Sequence, residues 1–94
     1  MAKLPNEVEV IPLTMHRDGR GWVTEVFRQK WPTGIQPCQW NAACSDANVL
    51  RGVHVHHKHI DYLVVLRGRV SAGLYDVRPK SPTHRMSCVI EIHA

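Results

Sequence analysis

The sequence predicts an all-β domain built as an antiparallel sandwich or barrel, and two observations indicate this class. Short apolar or alternating runs recur along the chain, and no helical stripe extends over ten residues. Turn-forming residues separate these runs at regular intervals, as they do in antiparallel sandwiches and barrels. We therefore expect six or seven short strands in a single domain over residues 1–94.

Five segments carry the strand signals, in chain order. Residues 7–13 begin with charged and apolar residues in alternation, and residues 22–27 are rich in β-branched and aromatic side chains. Residues 60–66 form an apolar run with one acid, too short for a typical helix. Residues 69–77 and 87–93 continue the pattern. Predicted turns separate the strands at 18–21, 32–34, 45–48, 68 and 79–82.

Composition excludes several classes of protein. An apolar fraction of 44% argues against disorder, and no run approaches the roughly 18 apolar residues that would cross a bilayer. The first ten residues lack the apolar core of a secretory signal, so we expect a cytoplasmic protein with no membrane partner. Three cysteines at irregular spacing match neither a disulfide framework nor a zinc motif. We interpret them as buried free thiols: Cys38, Cys44 and Cys88.

The charge balance favours an anionic partner. The net charge is +4, and eight of the twelve cationic residues are arginines. They are spread through the chain, whereas a nucleic-acid arm would be a run of basic residues. We therefore predict a small phosphorylated ligand and no nucleic acid.

The most distinctive feature is a histidine cluster, in which four of the seven histidines fall between residues 54 and 59. In a strand, His54 and His56 would point to the same face, and a short bend could bring Asp61 back beside them. Such a trio could hold a divalent metal, or one imidazole could act as a general base. We interpret His57 and His59 as solvated histidines of a loop.

Three motifs in register resemble the dTDP-4-dehydrorhamnose 3,5-epimerase family. DGRGWVTEVF at 18–27 is similar to its D-x-R-G-x-F-x-E-x-F. QWN at 39–41 with VLRGVH at 49–54 is similar to its Q-x-N and V-L-R-G-x-H. DVRPKSPT at 76–83 is similar to its D-x-R-x-x-S-P-T. The resemblance covers roughly residues 10–94 and implies a cupin-type antiparallel jelly roll.

The resemblance also implies roles for individual residues. Arg20 and Glu25 would contact the nucleotide of a dTDP-sugar, and His54 would be the catalytic base. Arginine suits a diphosphate because its planar fork donates two parallel hydrogen bonds and keeps its charge. The sugar-diphosphate groove would be lined by Gln39, Asn41 and Arg51.

The implied activity is that of an isomerase acting on a nucleotide-linked 4-keto-deoxysugar, as in rhamnose biosynthesis, with no cofactor. The base would remove a proton next to the ketone, which requires a group whose pKa lies near the working pH. The substrate would be the nucleotide sugar itself.

Two further resemblances leave alternatives open. RGVHVH at 51–56 is similar to the R-G-x-H-A-H segment of dTDP-sugar 3,4-ketoisomerases, in which both histidines move protons. The order H-x-H-x4-D-x6-G is similar to the first metal motif of cupins, with His54, His56 and Asp61 as candidate ligands of a divalent metal. A sugar-nucleotide-binding remnant without catalysis is the remaining alternative. We take His54, His56 and Asp61 as the candidate catalytic set.

Three positions depart from the epimerase pattern. Asp61 stands where the family commonly has a lysine, and His56 stands where it has a glutamine. The tyrosine that donates a proton in the family has no counterpart, because neither Tyr62 nor Tyr75 lies in a matching motif.

We expect this chain to form only part of a jelly roll. The chain ends about where the first half of the family's barrel ends, so the jelly roll would be incomplete. Inner-face residues such as Leu63, Val65 and Leu74 would need a second layer, and unpaired strand edges recruit partners. We therefore expect a homodimer that completes the fold, or a fragment of a longer chain.

Overall fold

The computed structural model describes residues 3–94, and the regular structure of this part of the chain is entirely β. Four strands form two antiparallel sheets of two strands each. In the first sheet β1 (Met15–Asp18) pairs with β2 (Gly21–Thr24), and in the second β3 (Arg69–Tyr75) pairs with β4 (Ser87–His93). The predicted all-β antiparallel class is confirmed.

The strand positions are confirmed in part. The predicted strand at 87–93 is present as β4, and those at 69–77 and 22–27 are present but end earlier, as β3 and β2. The predictions at 7–13 and 60–66 are wrong, and β1 was not predicted. A strand forms only where a neighbour takes up its backbone hydrogen bonds, and a local apolar pattern does not supply that neighbour. The described residues therefore contain four strands instead of six or seven.

The chain divides into two compact units, residues 27–63 and the remainder. The unit outside 27–63 contains all four strands. The single-domain organisation stays a prediction.

The β1–β2 hairpin turns at Gly19 and Arg20, and Asp18 fixes the turn. The Asp18 carboxylate accepts the backbone N–H of Arg20 at 2.8 Å and its guanidinium Nη2 at 2.6 Å. The guanidinium lowers the pKa of Asp18, because hydrogen bonds from a cation favour the charged carboxylate. The D-x-R motif thus organises its own turn.

The β3–β4 hairpin has the alternation of a half-buried sheet. Its register runs from Arg69 opposite His93 to Tyr75 opposite Ser87. Gly68 enters β3 with a φ of +77°, a conformation that suits glycine, and its carbonyl accepts the N–H of Ala94 at 3.1 Å. Directly opposite residues share a face, and one face is apolar: Val70, Ala72, Leu74, Cys88, Ile90 and Ile92.

The connection between β3 and β4 is organised by the buried carboxylate of Asp76. Its oxygens accept the Nε of Arg78 at 2.9 Å, the hydroxyl of Ser81 at 2.6 Å and that of Thr83 at 2.7 Å. These hydrogen bonds, led by that from Arg78, hold the pKa of Asp76 far below its usual range. The four polar positions of the D-x-R-x-x-S-P-T motif therefore bond to one another within this connection: Asp76, Arg78, Ser81 and Thr83.

Arg78 also ties an N-terminal segment to the same network. Its Nη1 pairs with Glu7 at 2.8 Å, and its Nη2 donates to the carbonyl of Asn6 at 2.7 Å. The Asn6 N–H donates to the hydroxyl of Thr83 at 2.7 Å. Residues 6–7 are thus held by side chains instead of by the strand pairing predicted for 7–13.

Apolar burial is shallow throughout the described residues. None of their hydrophobic side chains is fully buried, and Leu50 and Val53 are 94% and 95% exposed. The prediction of buried thiols is accordingly wrong for Cys38 and Cys44, which are exposed, while Cys88 is half-buried on β4. Nor does any helix in residues 3–94 have the length and apolar character needed to cross a membrane.

Residues 27–63 are organised by an aromatic cluster. Phe27 contacts the rings of Trp31, Trp40 and Tyr62 at centroid distances of 6.4, 6.2 and 5.5 Å. Trp40 and Tyr62 also meet edge to face, at 6.2 Å. Such pairs stabilise beyond the area they bury. Desolvation by partial burial raises the pKa of Tyr62 above its ordinary value.

Candidate functional site

The histidine segment folds back on itself at a bend over residues 57–58. The bend brings Asp61 beside His56, with 2.8 Å between Nε2 of the imidazole and Oδ2 of the carboxylate. The return of Asp61 was expected from the sequence, although residues 54–56 are not a strand. A bend of two residues is enough, because the partners are only five positions apart.

Three imidazole rings of this segment lie next to one another in space. The rings of His54 and His56 lie nearly parallel, 6° apart in plane and 6.2 Å apart between centroids. The rings of His56 and His59 are closer, at 3.9 Å. His56 thus lies between two imidazoles and contacts a carboxylate.

His59 corrects the interpretation of the loop histidines. It is exposed, as expected, but its Nε2 lies 3.8 Å from Oδ1 of Asp61, so it belongs to the cluster. The donor atoms of His56, His59 and Asp61 all lie within 4.8 Å of one another. In the described residues this is the trio with metal-ligand spacing, whereas the sequence pointed to His54 in place of His59. The spacing H-x2-H-x-D around a bend was the signal available for it.

The polar pair Gln39 and Asn41 lies in the same unit. The Nε2 of Gln39 donates to Oδ1 of Asn41 at 3.3 Å, so the two side chains share a side of the chain. Trp40 between them contacts Tyr62, the neighbour of Asp61 in sequence. The aromatic contact therefore brings the chain at residue 40 near the chain at residue 62, a relation that sequence reasoning missed.

Arg51 is held by the loop before it. Its Nε donates to the hydroxyl of Ser45 at 2.5 Å, and its Nη2 donates to the carbonyl of Cys44 at 3.2 Å. Both bonds orient the guanidinium three residues before His54. Because the side chain is exposed, the other guanidinium N–H groups face solvent and can bind an anion.

Arg20 and Glu25 lie in the unit that contains the strands. Arg20 is at the tip of the β1–β2 hairpin, where its side chain is 92% exposed while paired with Asp18. Glu25 directly follows β2 and is also exposed. The first motif thus presents a cation at a turn and a carboxylate at a strand end.

Residues 27–63 together contain the imidazoles, a carboxylate, a guanidinium anchored by hydrogen bonds and an amide pair. Imidazole can exchange protons near neutral pH, and a carboxylate bonded to one ring nitrogen orients that ring. A guanidinium is suited to phosphate oxygens. These groups are those needed to bind an anionic substrate and move a proton on it.

Comparison with known proteins identifies a matching family and a curated relative. A family model described as dTDP-4-dehydrorhamnose 3,5-epimerase matches residues 3–94. The probable low-salt glycan biosynthesis epimerase Agl13 of Haloferax volcanii is 38% identical over 84 residues, covering 85% of this chain and 54% of that protein. The chain thus spans about half the length of this curated relative. No solved structure matches the chain significantly.

Proposed function

The chain belongs to the dTDP-4-dehydrorhamnose 3,5-epimerase family, and from this we propose that it acts as an isomerase of a nucleotide-linked 4-keto-deoxysugar. Its all-β architecture is consistent with part of the family's cupin-like fold. The observation that carries the proposal is the family match over residues 3–94, which includes the R-G-x-H at 51–54. The proposed reaction needs no cofactor.

His54 is the proposed base. It removes the proton from a carbon next to the ketone, and the electron pair of that C–H bond moves onto the ketone oxygen as an enolate. A proton returned to the opposite face of the same carbon inverts the centre. Because a positioned base contributes about 10²–10⁴ in rate, this residue dominates the proposed chemistry.

His56 and Asp61 are proposed to support that base. The 2.8 Å contact fixes the orientation of the His56 ring, which lies parallel to that of His54. The contact holds the His56 ring beside the proposed base, where a polar group can stabilise the developing enolate. His56, oriented by Asp61, would therefore stabilise the developing negative charge, while His54 removes the proton.

Binding is proposed to rest on the polar residues of the motifs. The sugar-diphosphate groove would be lined by Arg51, Gln39 and Asn41, with Arg51 on the diphosphate. The nucleotide would be contacted by Arg20 and Glu25. The net charge of +4 favours such an anion. We also propose that the chain forms a homodimer.

The test is hydrogen exchange in deuterated water with a dTDP-4-keto-6-deoxysugar, followed by NMR. We expect deuterium at the carbons next to the ketone with the unaltered chain. His54→Asn should lower the exchange rate about 10²–10⁴-fold while dTDP affinity stays within a few-fold. His57→Asn is the matched control and should exchange normally. Full exchange with His54→Asn, or none with the unaltered chain, would contradict the proposal.

A 3,4-ketoisomerase is the second candidate. In those enzymes both histidines of the R-G-x-H-A-H segment move protons, and here the second of them, His56, is oriented by Asp61. That reaction passes through an enediol between C3 and C4, so it leaves the hydrogen at C5 in place. A 3,5-epimerase exchanges the hydrogens at both C3 and C5. Deuterium at C5 therefore supports the epimerase, and exchange without C5, accompanied by a 3-keto product, supports the ketoisomerase.

A further inference from the structure

The cluster at the bend of residues 57–58 has the donors of a metal site. Two imidazole nitrogens face one carboxylate, with 2.8 Å between His56 Nε2 and Asp61 Oδ2 and 3.8 Å between His59 Nε2 and Asp61 Oδ1. Neutral imidazole and carboxylate together suit zinc and its neighbours among the transition metals. The chemistry of the donors is therefore appropriate.

The spacing of the donors is appropriate as well. In a tetrahedral zinc site with bonds of about 2.0–2.2 Å, neighbouring donor atoms lie about 3.3–3.6 Å apart. The two observed distances fall on either side of this range, and all three donor atoms lie within 4.8 Å of one another. The two distances end on different oxygens of Asp61, so the one carboxylate lies beside both imidazoles. The bend thus places all three donors within reach of one ion.

An ion can reach the cluster from solvent. The side chains of His59 and Asp61 are 62% and 65% exposed, and that of His56 is 31% exposed. Three protein ligands leave the fourth tetrahedral position for water or another oxygen ligand. Metal binding takes imidazole and carboxylate in their deprotonated forms, so affinity should fall in acid.

We propose that His56, His59 and Asp61 bind one divalent transition-metal ion, with Zn²⁺ as the representative. This ligand set differs from the alternating trio suggested by the sequence, because His59 replaces His54. The site shares His56 and Asp61 with the proposed isomerase activity, but its test measures metal affinity alone and can fail or succeed without that activity.

The experiment is a titration of the reduced chain with ZnCl₂ by calorimetry, repeated with CoCl₂ by visible absorption. We expect one equivalent to bind, with the cobalt band of a tetrahedral complex. His59→Asn should weaken binding by at least about 10-fold, because even changes to outer contacts cost 10–100-fold. His57→Asn is the matched control, an adjacent exposed imidazole outside the cluster, and should bind normally.

His54→Asn separates the two ligand sets. If the proposal holds, this variant binds as tightly as the unaltered chain. Loss of binding in His54→Asn with retention in His59→Asn would overturn it. Equal affinity in the unaltered chain and in His59→Asn would overturn it too, because the metal would then lie elsewhere, for example on the exposed thiols of Cys38 and Cys44.

Discussion

Arg20 serves the fold through the same guanidinium group that would bind a ligand. Its guanidinium donates to Asp18 from Nε at 3.2 Å and from Nη2 at 2.6 Å while 92% of the side chain is exposed. An exposed pair of this kind adds little stability. It does hold the guanidinium in one orientation, with its remaining N–H groups toward solvent. Such preorganisation is useful to a residue that binds an anion.

We predict that Arg20→Ala weakens dTDP binding about 10- to 150-fold, the loss expected for one charged hydrogen bond. Arg17→Ala, at an exposed arginine of β1, is the matched control and should leave the affinity within two-fold. Calorimetric titration with dTDP measures both. Unchanged affinity in Arg20→Ala would remove the nucleotide role from this hairpin and leave Arg20 to its turn.

At the scale of elements, the connection between β3 and β4 carries a network of side-chain hydrogen bonds. Asp76 is 5% exposed, and its carboxylate accepts hydrogen bonds from Arg78, Ser81 and Thr83. Its backbone closes the hairpin, with the N–H bonded to the carbonyl of Met86 at 2.9 Å. A buried carboxylate with so many donors stabilises the folded state only while it is ionised.

The pH dependence of stability follows from Asp76. Its folded pKa is lowered, so its stabilisation is complete above the ordinary carboxyl pKa of about 4 and is lost as the pH falls below that value. We predict that Asp76→Asn lowers the thermal midpoint by roughly 5–10 °C at neutral pH. The difference from the unaltered chain should shrink toward pH 2.

Circular dichroism melts at several pH values measure this effect. Asp46→Asn, at an exposed aspartate, is the control and should keep the midpoint and the slope of the unaltered chain. The thermal midpoint of Asp76→Asn should still fall in acid, but less than that of the unaltered chain, because the pKa of Asp18 is also lowered. If Asp76→Asn melted like the control at every pH, the network would have no role in stability.

At the scale of the whole molecule, the described residues lack a hydrophobic core. Each sheet has only two strands, and isolated two-stranded sheets are marginally stable in water. Within residues 3–94, every strand keeps one edge without a strand neighbour. Exposed edges and apolar residues such as Leu50 and Val53 are surfaces that association can cover.

We predict that the chain is not a stable monomer and forms a homodimer by pairing or exchanging strands. Sedimentation equilibrium at low micromolar concentration should show about twice the mass of 10.7 kDa, with dissociation on dilution accompanied by loss of the β signal. A folded monomer of 10.7 kDa would contradict the prediction. The cytoplasmic location likewise stays a prediction.

The sequence by itself predicted those features that depend on short-range patterns. Period-two alternation identified β3 and β4, because one half-buried sheet face dictates every second residue. The motifs identified the family, and the closeness of Asp61 to His56 followed from a five-residue separation. Residues 7–13 also begin with alternation and residues 60–66 form a short apolar run, so local patterns alone did not distinguish them from true strands.

Tertiary structure decided the features that depend on distant partners. Strand formation required a neighbour for the backbone hydrogen bonds, and only β1 with β2 and β3 with β4 supply one in the described chain. The bend at 57–58 decided that His59 lies beside Asp61, and the contact of Trp40 with Tyr62 joined two segments that are distant in sequence. Hydrogen bonds and ring contacts act over a few ångströms in space, whatever the separation along the chain.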